Sequence, residues 1–164
     1  MNIVLITLGI IVGIIILMVL IGYVTPVKHT ASVTEELKLP DHKLYKLLIN
    51  FKNYPKWRTE LKGVKVISES EWVEVSKFGE MALSFTELVE NKKIVGSIVP
   101  DKSLQFGGSW TYDLQATGSK TTKLTVTENG EVYSPLFRFV SKYIMGHKGT
   151  LKRFMKNLQD EIGD

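Results

Sequence analysis

Ile3–Val24 runs without one charged side chain, and every Lys, Arg, Asp and Glu of the chain lies after it. At a helical rise of ~1.5 Å per residue that run covers about 33 Å, enough for a hydrocarbon core of about 30 Å. A cleaved signal peptide would need a basic leader, a shorter apolar run and a small-x-small cleavage site. Here only Met1-Asn2 precedes the run, and Gly22-Tyr23-Val24-Thr25-Pro26 is a poor cleavage site. The expectation is an uncleaved transmembrane anchor over 1–24, with Tyr23 at the interface and Pro26 as a stop. A short linker over 25–29 follows, at most ~18 Å when extended. The remainder, 30–164, is long enough for one domain and too short for two.

Lys28, Lys38 and Lys43 follow the run closely and no base precedes it, so the positive-inside rule places the soluble domain on the cytoplasmic side of a single-pass protein. Gly9 and Gly13 form a small-xxx-small pair through which two such helices can approach as a weak homodimer. Glycine is also common in transmembrane helices without that role.

The formal charge of +4, from 21 basic and 17 acidic residues, therefore belongs to the part after the anchor. The bases are interspersed with acids along most of the chain, which argues against a nucleic-acid partner. An anionic lipid bilayer suits them better. The absence of cysteine excludes disulfides, thiolate nucleophiles and Cys-type zinc sites. His29, His42 and His147 share no metal-ligand spacing, so neither a metal nor a cofactor is expected.

After the linker the periodicity changes. Ala31, Val33, Leu37 and Leu39 alternate with polar residues as a half-buried strand. Asp41 is placed as an N-cap for a short helix carrying Leu44, Leu48 and Phe51. Asn53-Tyr54-Pro55 breaks that helix before a second helical turn holding Trp57. Six further strands, near 64–69, 72–77, 81–90, 93–99, 107–117 and 121–132, are separated by short turn signals, including one at Phe78-Gly79-Glu80. Spacing this short implies antiparallel hairpins. Ser134-Pro135 opens a long amphipathic helix, interrupted at Gly146 and Gly149. The predicted fold class is α+β, a curved antiparallel seven-stranded sheet gripping a long C-terminal helix.

This order, together with Phe51-Lys52-Asn53-Tyr54-Pro55-Lys56-Trp57, the segment from Leu39 to Leu48, Gly108-Ser109-Trp110-Thr111-Tyr112 with its following hairpin, and the helix from Pro135, resembles the START-like (SRPBCC) superfamily. Within it, the polyketide cyclase/dehydrase and lipid-transport group is the nearest in pattern. The resemblance implies a helix-grip fold around a pocket for an apolar small molecule or lipid. It implies no single activity, because members include carriers, receptors and cyclases, and no catalytic motif carries over.

Strand alternation puts Trp110, Tyr112 and Leu114 on one face, with Met81, Leu83 and Phe85, and with Leu124 and Val126. These residues and Trp57 are the candidate ligand-binding set, and ordinary core packing is the competing account of each. Glu35 and Glu128 keep register with apolar neighbours. If they meet on the concave face they would share a proton as a general acid/base pair. Alternatively, both strands bend or bulge at these positions and one or both acids reach solvent at the cavity rim. Tyr112 is the other candidate catalytic group. Arg58 is placed to pair with one of these acids or with an anionic headgroup. Lys148, Lys152 and Arg153, with Lys142, His147 and Lys156, form a basic cluster that suits a membrane surface or a solvated helix face. Three functions remain open: a membrane-held carrier or binder of a lipophile, a cyclase- or hydrolase-type enzyme, and an interaction module with a collapsed pocket.

Overall fold

The computed structural model describes residues 2–77 and 79–163. Phe78, in the predicted turn at 78–80, lies outside the described residues. The first element is helix α1, Asn2–Val24, and the span Ile3–Val24 is long and apolar enough to cross a membrane, with a mean hydropathy of 3.3 and its apolar window exposed. Strand β1 (Lys28–Leu37) follows, then α2 (Asp41–Ile49), a 3₁₀ turn (Phe51–Asn53) and α3 (Tyr54–Trp57). Strands β2 (Leu61–Val66), β3 (Glu71–Ser76), β4 (Gly79–Val89), β5 (Lys93–Ile98), β6 (Phe106–Ala116) and β7 (Thr122–Val132) come next. The C-terminal segment is α4 (Pro135–Phe139), a π turn (Val140–Met145) and α5 (Lys148–Ile162).

All seven strands form one antiparallel sheet in the order β1-β7-β6-β5-β4-β3-β2. Consecutive hairpins account for β2 through β7, as the closely spaced turn signals require. The first strand then pairs with the last over its whole length, Lys28 opposite Glu131 through Leu37 opposite Thr122. Register shifts at Leu61/Gly63 and Phe85/Glu87 bend the other side of the sheet, since a bulge adds twist and curvature.

The predicted C-terminal helix is present, but it is broken. Gly146 has φ of +72°, open to glycine at little cost, and the chain turns there between the π turn and α5. Only α5 lies over the core. It contributes Leu151, Phe154, Met155 and Leu158, each 2% exposed or less. Burying side chains of that size stabilises by about 1.5–3 kcal/mol each. Neither α4 nor the π turn holds a buried residue.

Two local expectations are corrected. Pro40, not Asp41, occupies the N-cap of α2, with extended φ/ψ of −60° and 145°. Asp41 is the first helical residue, and its carboxylate accepts the His42 N–H at 2.7 Å. Helix α2 ends at Ile49, before the Asn53-Tyr54-Pro55 break expected for it, and Pro55 sits in the first turn of α3, where its missing N–H costs nothing.

The sheet has a clear polarity relative to α1. The Val132 N–H donates to the Val27 carbonyl at 2.9 Å, so the start of β1 and the end of β7 lie beside the exit of α1. Register carries that edge across to Phe106, opposite Val132, and on through Ser109 opposite Ser97 to Leu83 opposite Ile98. This is the α1 end of the sheet; Leu37, Leu114 and Leu124 lie toward the other.

Candidate functional site

A pocket of about 70 Å³ opens on the concave face between β3–β6 and the helical layer. Its walls are Met81, Leu83 and Phe85 from β4, Gly96 and Ile98 from β5, and Ser109, Trp110 and Tyr112 from β6. Tyr54, Arg58, Trp72 and Glu74 close it. The floor is buried while Met81, Leu83, Phe85, Ile98, Ser109 and Trp110 stay half-buried. Met81, Leu83, Ile98 and Ser109 belong to the α1 end, so the more exposed part of the pocket faces the side from which α1 leaves.

The floor carries charge. Arg58 and Glu74 are 9% and 4% exposed. Arg58 Nη1 donates to Glu74 Oε1 at 2.5 Å, and its Nε donates to Glu60 Oε1 at 2.8 Å. The Trp72 indole N–H reaches the same Glu74 oxygen at 3.4 Å. From α5, Asn157 Nδ2 donates to Glu60 Oε2 at 3.0 Å, tying the pair to the covering helix. The guanidinium also lies 5.2 Å from the Tyr54 ring centre and 5.9 Å from that of Phe154, within reach of a cation–π attraction. Burial would by itself lower the Arg58 pKa. The carboxylates of Glu74 and Glu60 and the two tyrosines outweigh it and push the value up, so Arg58 stays charged.

The tyrosines are shifted the other way from a base. Burial pushes Tyr112 up, with Arg58 opposing, and pushes Tyr54 well above its ordinary range, with Tyr112 adding to the effect. Both remain neutral hydroxyls at ordinary pH. Tyr54 donates to the Leu48 carbonyl at 2.5 Å and fixes the end of α2 over the pocket. Tyr112 can offer a hydrogen bond to a bound group, but not a phenolate.

The candidate residues read from the sequence separate into groups. Met81, Leu83, Phe85, Trp110 and Tyr112 come together around the pocket. Leu114 and Val126 lie in the core instead. Trp57 also packs away from the opening, with its ring centre 5.5 Å from those of Tyr54 and Phe154. Its buried indole N–H has no hydrogen-bond partner among the described residues.

The proposed meeting of Glu35 and Glu128 does not occur. Glu35 stands opposite Leu124 and Glu128 opposite Ala31, four positions apart along the ladder, which is roughly 13 Å at strand rise. Glu35 is exposed although it keeps register with Val33 and Leu37. No bulge turns it out, because the β1–β7 register is continuous. The cause is position: β1 is an edge strand, and a long side chain there reaches water past the rim.

Glu128 is half-buried beside His29, whose Nε2 lies 3.2 Å from Oε1. Oε2 has no hydrogen-bond partner among the described residues. Burial raises the Glu128 pKa, opposed by His29 and more weakly by the indole of its cross-strand neighbour Trp110. The His29 ring stacks on that of His147, with centres 3.8 Å apart. His147 is thereby removed from the basic cluster, while Lys148, Lys152 and Arg153 are exposed on α5. Among the described residues no cluster of His and acids has the geometry of a metal site.

Two site features escaped the sequence reading. Glu74 keeps register with Trp72 at an inward position, which could have marked it as the partner of Arg58. Gly96 interrupts an apolar strand, a common sign of close approach by a ligand or backbone. A Cβ built on Gly96 would meet nothing within 4 Å.

A separate surface groove of about 490 Å³, which shares Ile98 with the pocket, lies at the α1 end of the sheet beside Pro100, Phe106, Gly107 and Tyr133. The pocket alone is smaller than most small-molecule sites, about 300–1,000 Å³.

With this geometry in hand, comparison with solved structures decides the fold. A START superfamily protein from Mycobacterium smegmatis superposes with a TM-score of 0.72 at 20% identity, covering 82% of this chain and 97% of its own. The chain has the START-like fold. A conserved protein from Geobacillus kaustophilus (TM-score 0.69, 17% identity, 82% and 95% covered) and a protein from Bacillus thuringiensis (0.65, 15%, 83% and 100%) share it. No protein-family model and no curated protein sequence matches the chain. The START-like sheet and its covering helix thus agree with the fold expected from the sequence, and the N-terminal apolar helix stands in addition to them.

Proposed function

We propose that this protein is a membrane-anchored binding domain for a small hydrophobic or amphiphilic molecule, taken up between the sheet and α5. The observation that carries the reading is the pocket itself, with apolar walls half-open toward the α1 end and a buried, charged Arg58–Glu74 floor. Such an arrangement suits a ligand with an apolar body and one polar group, which Tyr112 or the Arg58 guanidinium would meet. A ligand of more than a few heavy atoms requires Met81, Leu83, Phe85 or Trp110 to swing aside, or seats itself partly in the adjoining groove. Anchoring by α1 raises the effective concentration of the domain at the source of lipophiles.

A second reading, an interaction module with a filled pocket, is favoured by the aromatic packing beneath α5. Phe51 stacks on Trp72 at 4.6 Å, Trp72 meets Phe85 at 4.7 Å, and Trp110 meets Phe154 at 5.6 Å. An enzyme using paired carboxylates loses its main support with the separation of Glu35 from Glu128.

Gly96→Leu distinguishes the first two readings. Its side chain enters open space from a strand position with no left-handed backbone requirement, so the fold should persist while the pocket fills. The expected result is loss of binding of an environment-sensitive naphthalene dye by the full chain in micelles, with an unchanged near-UV spectrum. Equal dye binding by both proteins would remove the pocket from the account.

A further inference from the structure

The C-terminal segment that precedes α5 exposes several large apolar side chains beside Lys142, and it is docked on the end of α1. Phe137, Tyr143, Ile144 and Met145 are 54%, 54%, 63% and 65% exposed. Isolated exposed apolar residues need no explanation, but four within nine positions of one segment do. Phe137 is exposed on α4 and Ile144 and Met145 on the π turn that continues it.

The position of this segment relative to α1 is tightly set. A Cβ on Gly22 would lie 1.8 Å from the Pro135 carbonyl oxygen, so only glycine allows this approach. Arg138 Nη1 donates to the Thr25 carbonyl, just past the C-terminus of α1, at 2.9 Å. The Tyr143 hydroxyl also meets Thr25, and that hydrogen bond, with Lys142 beside it, lowers its pKa. The π turn is thus pinned at the level where the apolar run of α1 stops and Tyr23 stands exposed.

Charge points the same way. From Ser134 to Gln159 the chain carries Arg138, Lys142, Lys148, Lys152, Arg153 and Lys156 and not one Asp or Glu. Elsewhere after the anchor, acids and bases are mixed. An apolar stripe bordered by bases only, level with the end of an apolar helix, matches the headgroup and upper acyl region of an anionic leaflet.

We infer that the segment 135–145 is a second membrane contact, an interfacial seat that inserts Phe137, Ile144 and Met145 into the leaflet that α1 enters, with Lys142 and Lys148 among the headgroups. The inference rests on the proposed spanning of the bilayer by α1. Its consequence is orientation: two contacts fix the domain where one would let it swivel, and they turn the half-open end of the pocket to the lipid surface.

The chain has no cysteine, so single-cysteine labels are unambiguous. Full-length Ile144→Cys, Phe137→Cys, Val12→Cys and Lys120→Cys, each carrying a nitrobenzoxadiazole label, would be reconstituted into phosphatidylcholine–phosphatidylglycerol vesicles. Spin labels attached high or low on the acyl chain, and aqueous iodide, would serve as quenchers. The inference expects Ile144 and Phe137 labels to be quenched by the shallow spin label and shielded from iodide. Lys120, in the turn at the far end of the sheet, should show the reverse, and Val12 should respond to the deep spin label. A Val12 label quenched by lipid beside an Ile144 label as open to iodide as Lys120 would overturn the seat and leave the anchor standing. A Val12 label untouched by lipid would remove the anchor and the seat together. Shielding at Ile144 without lipid quenching would mean that a second copy or another protein covers the segment, which also overturns the inference.

Discussion

Replacing Arg58 by Met removes the positive member of a buried ionic cluster while keeping most of its apolar stem. Glu74, 4% exposed, would lose the guanidinium at 2.5 Å and keep only the Trp72 indole at 3.4 Å. Glu60 is better placed to adapt, with its side chain 21% exposed and the Asn157 amide still bound. The cost is therefore that of one uncompensated buried carboxylate, about 3–5 kcal/mol. For a chain of this size such a loss lowers the thermal midpoint by roughly 6–20 °C. Adding Glu74→Gln should recover much of the loss, because the remaining group is neutral. The assay is urea or thermal unfolding of the full chain in micelles at pH 7, followed by tryptophan fluorescence. A single-variant loss below about 1 kcal/mol, the range of solvent-exposed pairs, would refute the claim that the floor of the pocket is a dry ionic cluster.

Two further outcomes test the surroundings of the site. Burial, with His29 and Lys142 nearby, lowers the His147 pKa, so its contribution to stability is present above the unfolded value of about 6.5 and is lost as pH falls through the folded one. His147→Phe keeps a ring to stack on His29 and should flatten the fall in stability below pH 6.5, measured by thermal unfolding. Gly79 and Gly108 have nearly equal φ, +123° and +122°, but a Cβ on Gly108 would lie 2.1 Å from the Asn129 carbonyl oxygen while one on Gly79 meets nothing. Both alanine variants should lose about 1–3 kcal/mol to backbone strain, with Gly108→Ala losing clearly more; equal losses in urea unfolding would contradict the clash.

Much of the architecture was legible because its signals are local. The charge-free run up to Val24, the closely spaced turns, and glycines in the final helix each mark their own position. Gly146 did break the helix. What the sequence could not show was set by tertiary placement. Alternation assigned Glu35 a face correctly, but not the edge of the sheet that lets it reach water. The same alternation grouped Leu114 and Val126 with Trp110 and Tyr112, whereas the former are sealed in the core and the latter, though both touch Phe154 of α5, also line the pocket. Sequence offers Arg58 one of Glu35 and Glu128, or an anionic headgroup, as partner. Its partners are Glu60 and Glu74, brought together by the corner after Trp57 and the β2–β3 hairpin. The wide gap between bulk and need at Gly96 has no one-dimensional signature beyond a glycine inside a strand.

The account turns on whether the space between the sheet and α5 holds a lipophile. Native mass spectrometry of the full chain, extracted gently from membranes and compared with Gly96→Leu extracted alongside it, addresses this directly. The account predicts a non-covalent adduct of a lipid or other apolar metabolite on the wild type that is absent or strongly depleted on the variant. Wild-type protein free of any adduct after incubation with several lipid extracts, or an adduct retained equally by Gly96→Leu, would contradict it.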